Sequence, residues 1–298
     1  MGKILVTGLG GFTGAYVKSS FESKGYEIVG LVQSEKDRRG PSDIVCDLTG
    51  YESVVAALRG EILEGVIHLA AISFVAHSNP LDFYGVNVIG TQNLLEALRE
   101  TQKNLKKVIL ASSANVYGLA GGESGISERT PVAPVNHYAI SKAGMEFMAS
   151  TYFDDLPIII TRPFNYTGPG QDPSFLVPKI VSHYRDGEKR IALGNLDVSR
   201  DFSDVRDIAE MYLGLYESEE KSRIFNLCSG TAYSIGEIVE FMNGIAGYDA
   251  EVFVNPDFVR KNEIMILKGD NSELKKAIRL KPPIAFRQTL TDLYQRTA

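Results

Sequence analysis

Hydrophobic positions in the first half of the chain fall into short runs, separated by stretches where they recur at helical spacing. Lys3–Thr7 is one such run and leads into a Gly-rich turn. Residues 15–24 follow with a helical pattern that Gly25 ends. Further strands are predicted over residues 27–33, 65–70, 107–112 and 156–161, with helices over 51–59, 82–103 and 137–152. Apolar strands alternating with helices imply a parallel sheet covered on both faces. Right-handed crossovers make that a doubly wound α/β fold. After Arg162-Pro163 the rhythm breaks. Residues 164–195 are rich in Gly, Pro and Asn, with one helix near 177–186. Strands at 224–228 and 251–254 and helices near 234–244 and 289–296 complete the pattern. The expected division is residues 1–164 plus 196–240 for the sheet, and 165–195 plus 241–298 for a second, smaller α/β domain.

Composition narrows the function classes. The 298 residues are 44% hydrophobic and 23% charged, enough for a full core. The net charge is −6 and no long Lys/Arg run is present, which argues against nucleic acid as a partner. An acidic protein that binds a polyanion must instead gather a few cations locally. Cys46 and Cys228 are the two cysteines and form no CxxC, so a disulfide framework is excluded and a cytoplasmic setting fits. His68, His77, His137 and His183 lack metal-ligand spacing, so no metal is expected. The first residues lack signal-peptide architecture and no apolar run is long enough to span a bilayer, so no membrane association is expected.

Gly8-Leu9-Gly10-Gly11-Phe12-Thr13-Gly14 lies between the first strand and the first helix. Glycines there let the backbone approach a pyrophosphate, and the helix N-terminus offers free N–H groups and a positive dipole end. This is the dinucleotide end of a Rossmann sheet. Asp47-Leu48 follows the third short segment; Asp47 either accepts from an adenine amino group or caps a helix. The second strand ends at Gln33 without an acid for the ribose hydroxyls, while Arg38 and Arg39 follow closely. That favours NADP(H), with NAD(H) as the alternative.

Tyr138-Ala139-Ile140-Ser141-Lys142 places Tyr138 and Lys142 one helical turn apart on one face. The ammonium should lower the phenol pKa, so that Tyr138 exchanges a proton with a carbonyl oxygen or an alcohol. Ser112 and Ser113 close the preceding strand, where Ser113 could hydrogen-bond the same oxygen.

These parts, in this order, resemble the extended short-chain dehydrogenases/reductases over essentially the whole chain. The glycine turn matches their GxxGxxG. His68-Leu69-Ala70-Ala71 matches the strand flanking the cofactor, and Asn87-Val88-Ile89-Gly90-Thr91 the helix after it. Ser112-Ser113-Ala114-Asn115-Val116-Tyr117-Gly118 matches the serine strand. The resemblance implies a triad of Ser113, Tyr138 and Lys142, with Lys142 also holding the nicotinamide ribose. It further implies a homodimer through the 82–103 and 137–152 helices.

Arg162-Pro163-Phe164-Asn165-Tyr166-Thr167-Gly168-Pro169-Gly170 resembles the RxxNxxGP loop of nucleotide-sugar enzymes, whose Asn contacts the diphosphate. Arg200-Asp201-Phe202-Ser203-Asp204-Val205-Arg206-Asp207 matches their second signature, and Arg260 a third phosphate position. Asn165, Lys179, Arg200 and Arg260 are therefore the implied substrate residues, and arginine forks suit a diphosphate. Gly194-Asn195-Leu196-Asp197 and Thr167-Gly168-Pro169-Gly170-Gln171 resemble the branch holding GDP-mannose dehydratases and GDP-4-keto-6-deoxymannose reductases. Sugar 4,6-dehydratases carry an acid pair just after the triad Ser/Thr. Here Ala114 and Asn115 stand there, which disfavours dehydration. The expectation is a 4-ketoreductase of a nucleotide-linked 4-keto-6-deoxyhexose, GDP favoured over dTDP or CDP. A 4-epimerase with tightly bound NAD shares the triad and is the nearest rival. A non-catalytic dinucleotide sensor often lacks Tyr or Lys, both kept here.

Overall fold

A computed structural model describes residues 2–73, 77–258 and 264–295. Seven parallel strands form the main sheet: β1 (Lys3–Thr7), β2 (Glu27–Val32), β3 (Ile44–Val45), β4 (Gly65–His68), β5 (Lys107–Ala111), β6 (Ile158–Pro163) and β10 (Arg223–Leu227), in the spatial order β10-β6-β5-β4-β1-β2-β3. After β3 the chain crosses back to pair β4 with β1. The strand order therefore reverses at β1 and β4, the switch point where such sheets open a ligand crevice beyond their carboxyl ends.

Successive strand residues point to opposite faces. Leu5, Val66, Val108 and Ile158 pack under α2 (Tyr51–Leu58), α4 (Thr91–Thr101) and α5 (His137–Ser150). Ile4, Val6, Ile67 and Ile109 pack under α1 (Phe12–Ser23) and α7 (Val205–Glu217). Both faces are thus buried, and the strands read as continuous apolar runs. The helical pattern of residues 205–217 was hidden behind the Arg200–Asp207 motif and is an addition to the sequence reading.

The long helix expected over 82–103 is divided. α3 (Pro80–Tyr84) passes through a π-helical turn at Gly85–Gly90 before α4 begins. A third apolar cluster joins α6 (Leu176–Arg185), α8 (Ile235–Ala246) and α10 (Phe286–Gln295) through Val177, Ile180, Ile238, Met242 and Leu290. β8 (Arg190–Leu193) and β12 (Glu251–Val254) pair beside it. β9 (Ser199–Asp204) pairs with β7 (Asn165–Thr167), β11 (Ala232–Ser234) and β13 (Ile266–Leu267). α9 (Ser272–Ala277) lies against β10.

Candidate active site

The carboxyl ends of β1, β4 and β5 open into a cleft of about 1590 Å³. That exceeds the roughly 300–1,000 Å³ of a site for one small molecule and suits two ligands side by side. The glycine turn forms one end. Gly8 has φ +71°, and a Cβ there would lie 2.8 Å from the Ala70 nitrogen. A Cβ on Gly14 would lie 2.5 Å from the Gly8 carbonyl oxygen. No side chain caps α1 at Gly11, so the amides of Phe12, Thr13 and Gly14 are left for a ligand. A Cβ on Gly10 would meet nothing closer than Arg39 Nε at 3.6 Å. This bare, donor-rich cradle fits a dinucleotide pyrophosphate. Leu48, Leu69, Ala70 and Ala71 line the neighbouring wall. Asp47 lines it too; its carboxylate accepts from the Thr49 amide and hydroxyl at 2.9 and 2.7 Å. It does not cap α2, whose N-cap is Gly50.

One assignment changes here. Arg38 is turned away, bound to the Glu35 carboxylate at 2.6 Å and to the Asp43 carbonyl oxygen. Arg39 is the guanidinium that reaches the cleft beside Gly10. The Asp43 carboxylate fixes the loop by accepting from the Gly30, Arg39 and Gly40 amides. Adjacent charged residues in a loop give no signal of which one faces in.

A hydrogen-bond chain fixes the cofactor wall from behind. The Ala70 amide donates to Thr7 Oγ1 at 3.0 Å. The Thr91 hydroxyl donates to the Asn87 carbonyl oxygen at 2.8 Å, so it accepts from His68 Nε2 at 2.9 Å. Nδ1 then accepts from the Thr7 hydroxyl at 2.7 Å. Burial, aided by the Lys142 charge, lowers the His68 pKa to about 3 and keeps the ring neutral. The Asn87 side chain ties the Ile72 amide, at 2.9 Å, to Ser141 Oγ on α5, at 3.0 Å.

Ser113, Tyr138 and Lys142 meet in the middle of the cleft. Asn136 caps α5 by accepting from the Ala139 amide at 2.9 Å, which sets the helix start and hence where Tyr138 points. Burial pushes the Tyr138 phenol up to about 12, against a hydrogen bond with Ser113. The sequence argument had Lys142 lowering it; desolvation wins because Tyr138 is only 8% exposed. Lys142 Nζ donates to the Ala111 carbonyl oxygen at 2.7 Å, and burial lowers its pKa to about 8 despite the Glu146 carboxylate. Glu146 lies one turn further along α5 and was missed, although 138, 142 and 146 share a helix face. It pairs with Arg162 at 2.5 and 2.9 Å and accepts from Ser112 Oγ at 2.5 Å. Ser112 is thereby turned away from the cleft chemistry. Arg162 also donates to the Tyr117 hydroxyl at 2.9 Å, which donates to Asn226 Oδ1 at 2.7 Å.

Asn165, Lys179 and Arg200 line the far end of the cleft. Lys179 Nζ sits 4.6 Å from the Phe258 ring centre, and Arg200 donates to the Ile264 carbonyl oxygen at 2.7 Å. Arg260 lies outside the described residues. Asp201 anchors this end, accepting from the Ser229, Gly230 and Gly269 amides. Asn115 faces the cleft beside Ser113, while Ala114 is buried. Tyr166 also lines the cleft and had no signal in the sequence beyond its place in the loop motif.

A family model described as GDP-mannose 4,6 dehydratase matches residues 5–293. GDP-6-deoxy-D-talose 4-dehydrogenase of Aggregatibacter actinomycetemcomitans is 36% identical over 91% of this chain and 90% of its own. GDP-6-deoxy-D-mannose reductase of Pseudomonas aeruginosa is 30% identical over 97% of this chain and 94% of its own. A crystal structure from Burkholderia cenocepacia J2315, described provisionally as an epimerase, shares 41% identity with a TM-score of 0.92, covering 98% of this chain and 96% of that one. RMD from Pseudomonas aeruginosa, solved with NADPH, shares 29% identity with a TM-score of 0.86, covering 99% and 98%. A parallel sheet with its cleft at the switch point, and likeness running from end to end, give one answer: the chain belongs to the GDP-mannose 4,6-dehydratase family of extended short-chain dehydrogenases/reductases, a family of nucleotide-sugar oxidoreductases.

Proposed function

We propose that the protein reduces the C4 carbonyl of a GDP-linked 4-keto-6-deoxyhexose with NADPH. The observation that carries this reading is local: a buried phenol that holds its proton faces the cleft, and Ala114 and Asn115 occupy the places of a dehydratase acid pair. A phenol with its pKa pushed up to about 12 is protonated at neutral pH and is ready to donate. The two relatives named for GDP-6-deoxy sugars support the same substrate class.

In this reading NADPH, when bound, supplies the hydride. Tyr138 gives its proton to the carbonyl oxygen, and Ser113 hydrogen-bonds that oxygen and orients it. Lys142 fixes the floor through Ala111 and holds the ribose. The glycine turn cradles the pyrophosphate, and Arg39 takes the 2′-phosphate. Asn165, Lys179, Arg200 and Arg260 hold the sugar diphosphate, and holding both reactants supplies much of the rate. The division of labour follows: a cofactor lobe of 1–164 with 196–240 and a substrate lobe of 165–195 with 241–298. The separate apolar clusters support it, with α8 joining the substrate lobe.

The assay follows NADPH absorbance with GDP-4-keto-6-deoxymannose, dTDP-4-keto-6-deoxyglucose and GDP-mannose offered separately. Consumption with the GDP keto sugar is expected, and Tyr138→Phe should abolish it. The likeness to the provisional epimerase favours a second reading, a 4-epimerase. Tightly bound NAD in the purified protein, with no NADPH consumption, would select it. A cytoplasmic homodimer completes the proposal. Leu81, Ile89, Ile140 and Phe147 are exposed on α3, the turn after it and α5, as a docking face would require. Among the described residues no helix is long and apolar enough to cross a membrane.

A further inference from the structure

The turn that cradles the cofactor touches the loop that carries Asn165. Thr13 Oγ1 and the Tyr166 hydroxyl lie 2.8 Å apart and share a hydrogen bond. The Phe12 ring is stacked on Tyr166, with centroids 6.1 Å apart and planes 8° from parallel. One turn along α1, the Tyr16 hydroxyl donates to the Pro169 carbonyl oxygen at 2.7 Å. The first helix therefore grips the loop at three points. Burial raises the Tyr166 pKa against its bond to Thr13, so it is a neutral phenol.

The gripped segment is incompletely satisfied. Thr167 Oγ1 and Gln171 Oε1 are buried without a hydrogen-bond partner, as is Ser203 Oγ on β9, opposite Tyr166 in the strand register. Buried polar atoms without partners are costly and uncommon. Three of them around one short strand mark a segment that gains bonds by shifting. Thr167 and Gln171 border the cleft, where a sugar hydroxyl or diphosphate could reach them after such a shift.

We infer that Tyr166, held by Thr13, is a positioning residue that couples the two halves of the cleft. A dinucleotide on the amides of α1 fixes Thr13, Thr13 fixes Tyr166, and Tyr166 sets the loop for the nucleotide diphosphate sugar. Coupling between binding sites is reciprocal, so the sugar nucleotide tightens the cofactor by the same factor. This inference rests on the cofactor and substrate subsites proposed above.

Calorimetry tests it without turnover. NADPH affinity is measured with and without saturating GDP-mannose in wild type, Tyr166→Phe, Thr13→Val and Thr13→Ser. In wild type, GDP-mannose should tighten NADPH on the order of tenfold. Tyr166→Phe and Thr13→Val should cut that factor below about twofold, while NADPH alone still binds each variant. Thr13→Ser, which keeps the hydroxyl, should retain the coupling. An unchanged factor in Tyr166→Phe and Thr13→Val overturns the inference while leaving the function intact, and so does a wild type that binds both ligands independently. A wild type that binds neither ligand removes the functional reading as well.

Discussion

Replacing Glu146 by Gln probes the ion pair beneath Lys142. The Arg162 and Glu146 side chains are 4% and 5% exposed, so neither charge can turn to water. Burial works against the guanidinium, but its hydrogen bonds to Glu146 hold it above its ordinary range. Gln keeps the volume and removes the charge, which leaves Arg162 charged and buried beside the neutral Tyr117 hydroxyl. Breaking a buried pair from one side costs about 3–5 kcal/mol. At about 2–4 °C per kcal/mol in a large domain, the melting temperature should fall by roughly 6–20 °C. Adding Arg162→Met removes the stranded charge, so the double variant should melt above the single one. Differential scanning calorimetry of the three proteins decides. A fall below about 2 °C in the single variant, or a double variant that melts lower still, would refute the reasoning. Activity gives an independent reading. Glu146 supports the Lys142 charge, so its loss should move the Lys142 limb of the pH–rate profile below its present value of about 8.

Arg39→Ala should weaken NADPH relative to NADH by roughly 10–100-fold, the loss of a charge-assisted phosphate contact, whereas Arg38→Ala should change that ratio by less than about threefold. Isothermal titration with each cofactor checks this, and a larger effect at Arg38 would reverse the assignment. His68 has its pKa lowered from 6.5 to about 3, so between those values the unfolded chain carries a proton that the folded one does not. Its share of stability is constant above pH 6.5 and falls by about 1.4 kcal/mol per unit as the pH drops below it. His68→Gln should lose that part of the slope in urea titrations; an unaltered slope would place the acid sensitivity elsewhere. Phe147→Glu, at a side chain 67% exposed, should raise the dimer dissociation constant at least about tenfold in sedimentation experiments. An unshifted equilibrium would move the dimer interface off α5.

The doubly wound sheet was legible because both of its faces are buried, which leaves unbroken apolar strands between Gly and Pro punctuation. The triad positions were legible because a glycine turn, a strand-end serine and a YxxxK helix come in a fixed order. What the sequence withheld depends on tertiary partners. Asp201 and Asp204 make β9 look like a polar loop, yet both are buried: Asp201 accepts from three loop amides, and Asp204 caps α7 and pairs with Arg206. Arg38 and Arg39 are equivalent as letters until Glu35 claims one of them. The Tyr138 pKa reversed its expected direction because desolvation belongs to the packed site and not to the neighbouring Lys. The Thr13–Tyr166 contact joins residues 153 positions apart, beyond any local pattern.

The π-helical turn at Gly85–Gly90 limits how this chain can change length. An α-helix rotates about 100° per residue. Deleting one residue from the turn would give a regular helix, but it would swing Leu94, Leu95 and Leu98 off the sheet and carry Asn87 away from Ile72 and Ser141. Inserting one would do the same in the opposite sense. Point substitutions in this segment can be absorbed singly, whereas a one-codon gap must be repaired elsewhere in the same helix at once. Related sequences should therefore align through residues 80–101 without gaps, even where their letters diverge, and the surplus residue is kept as a fixed phase shift.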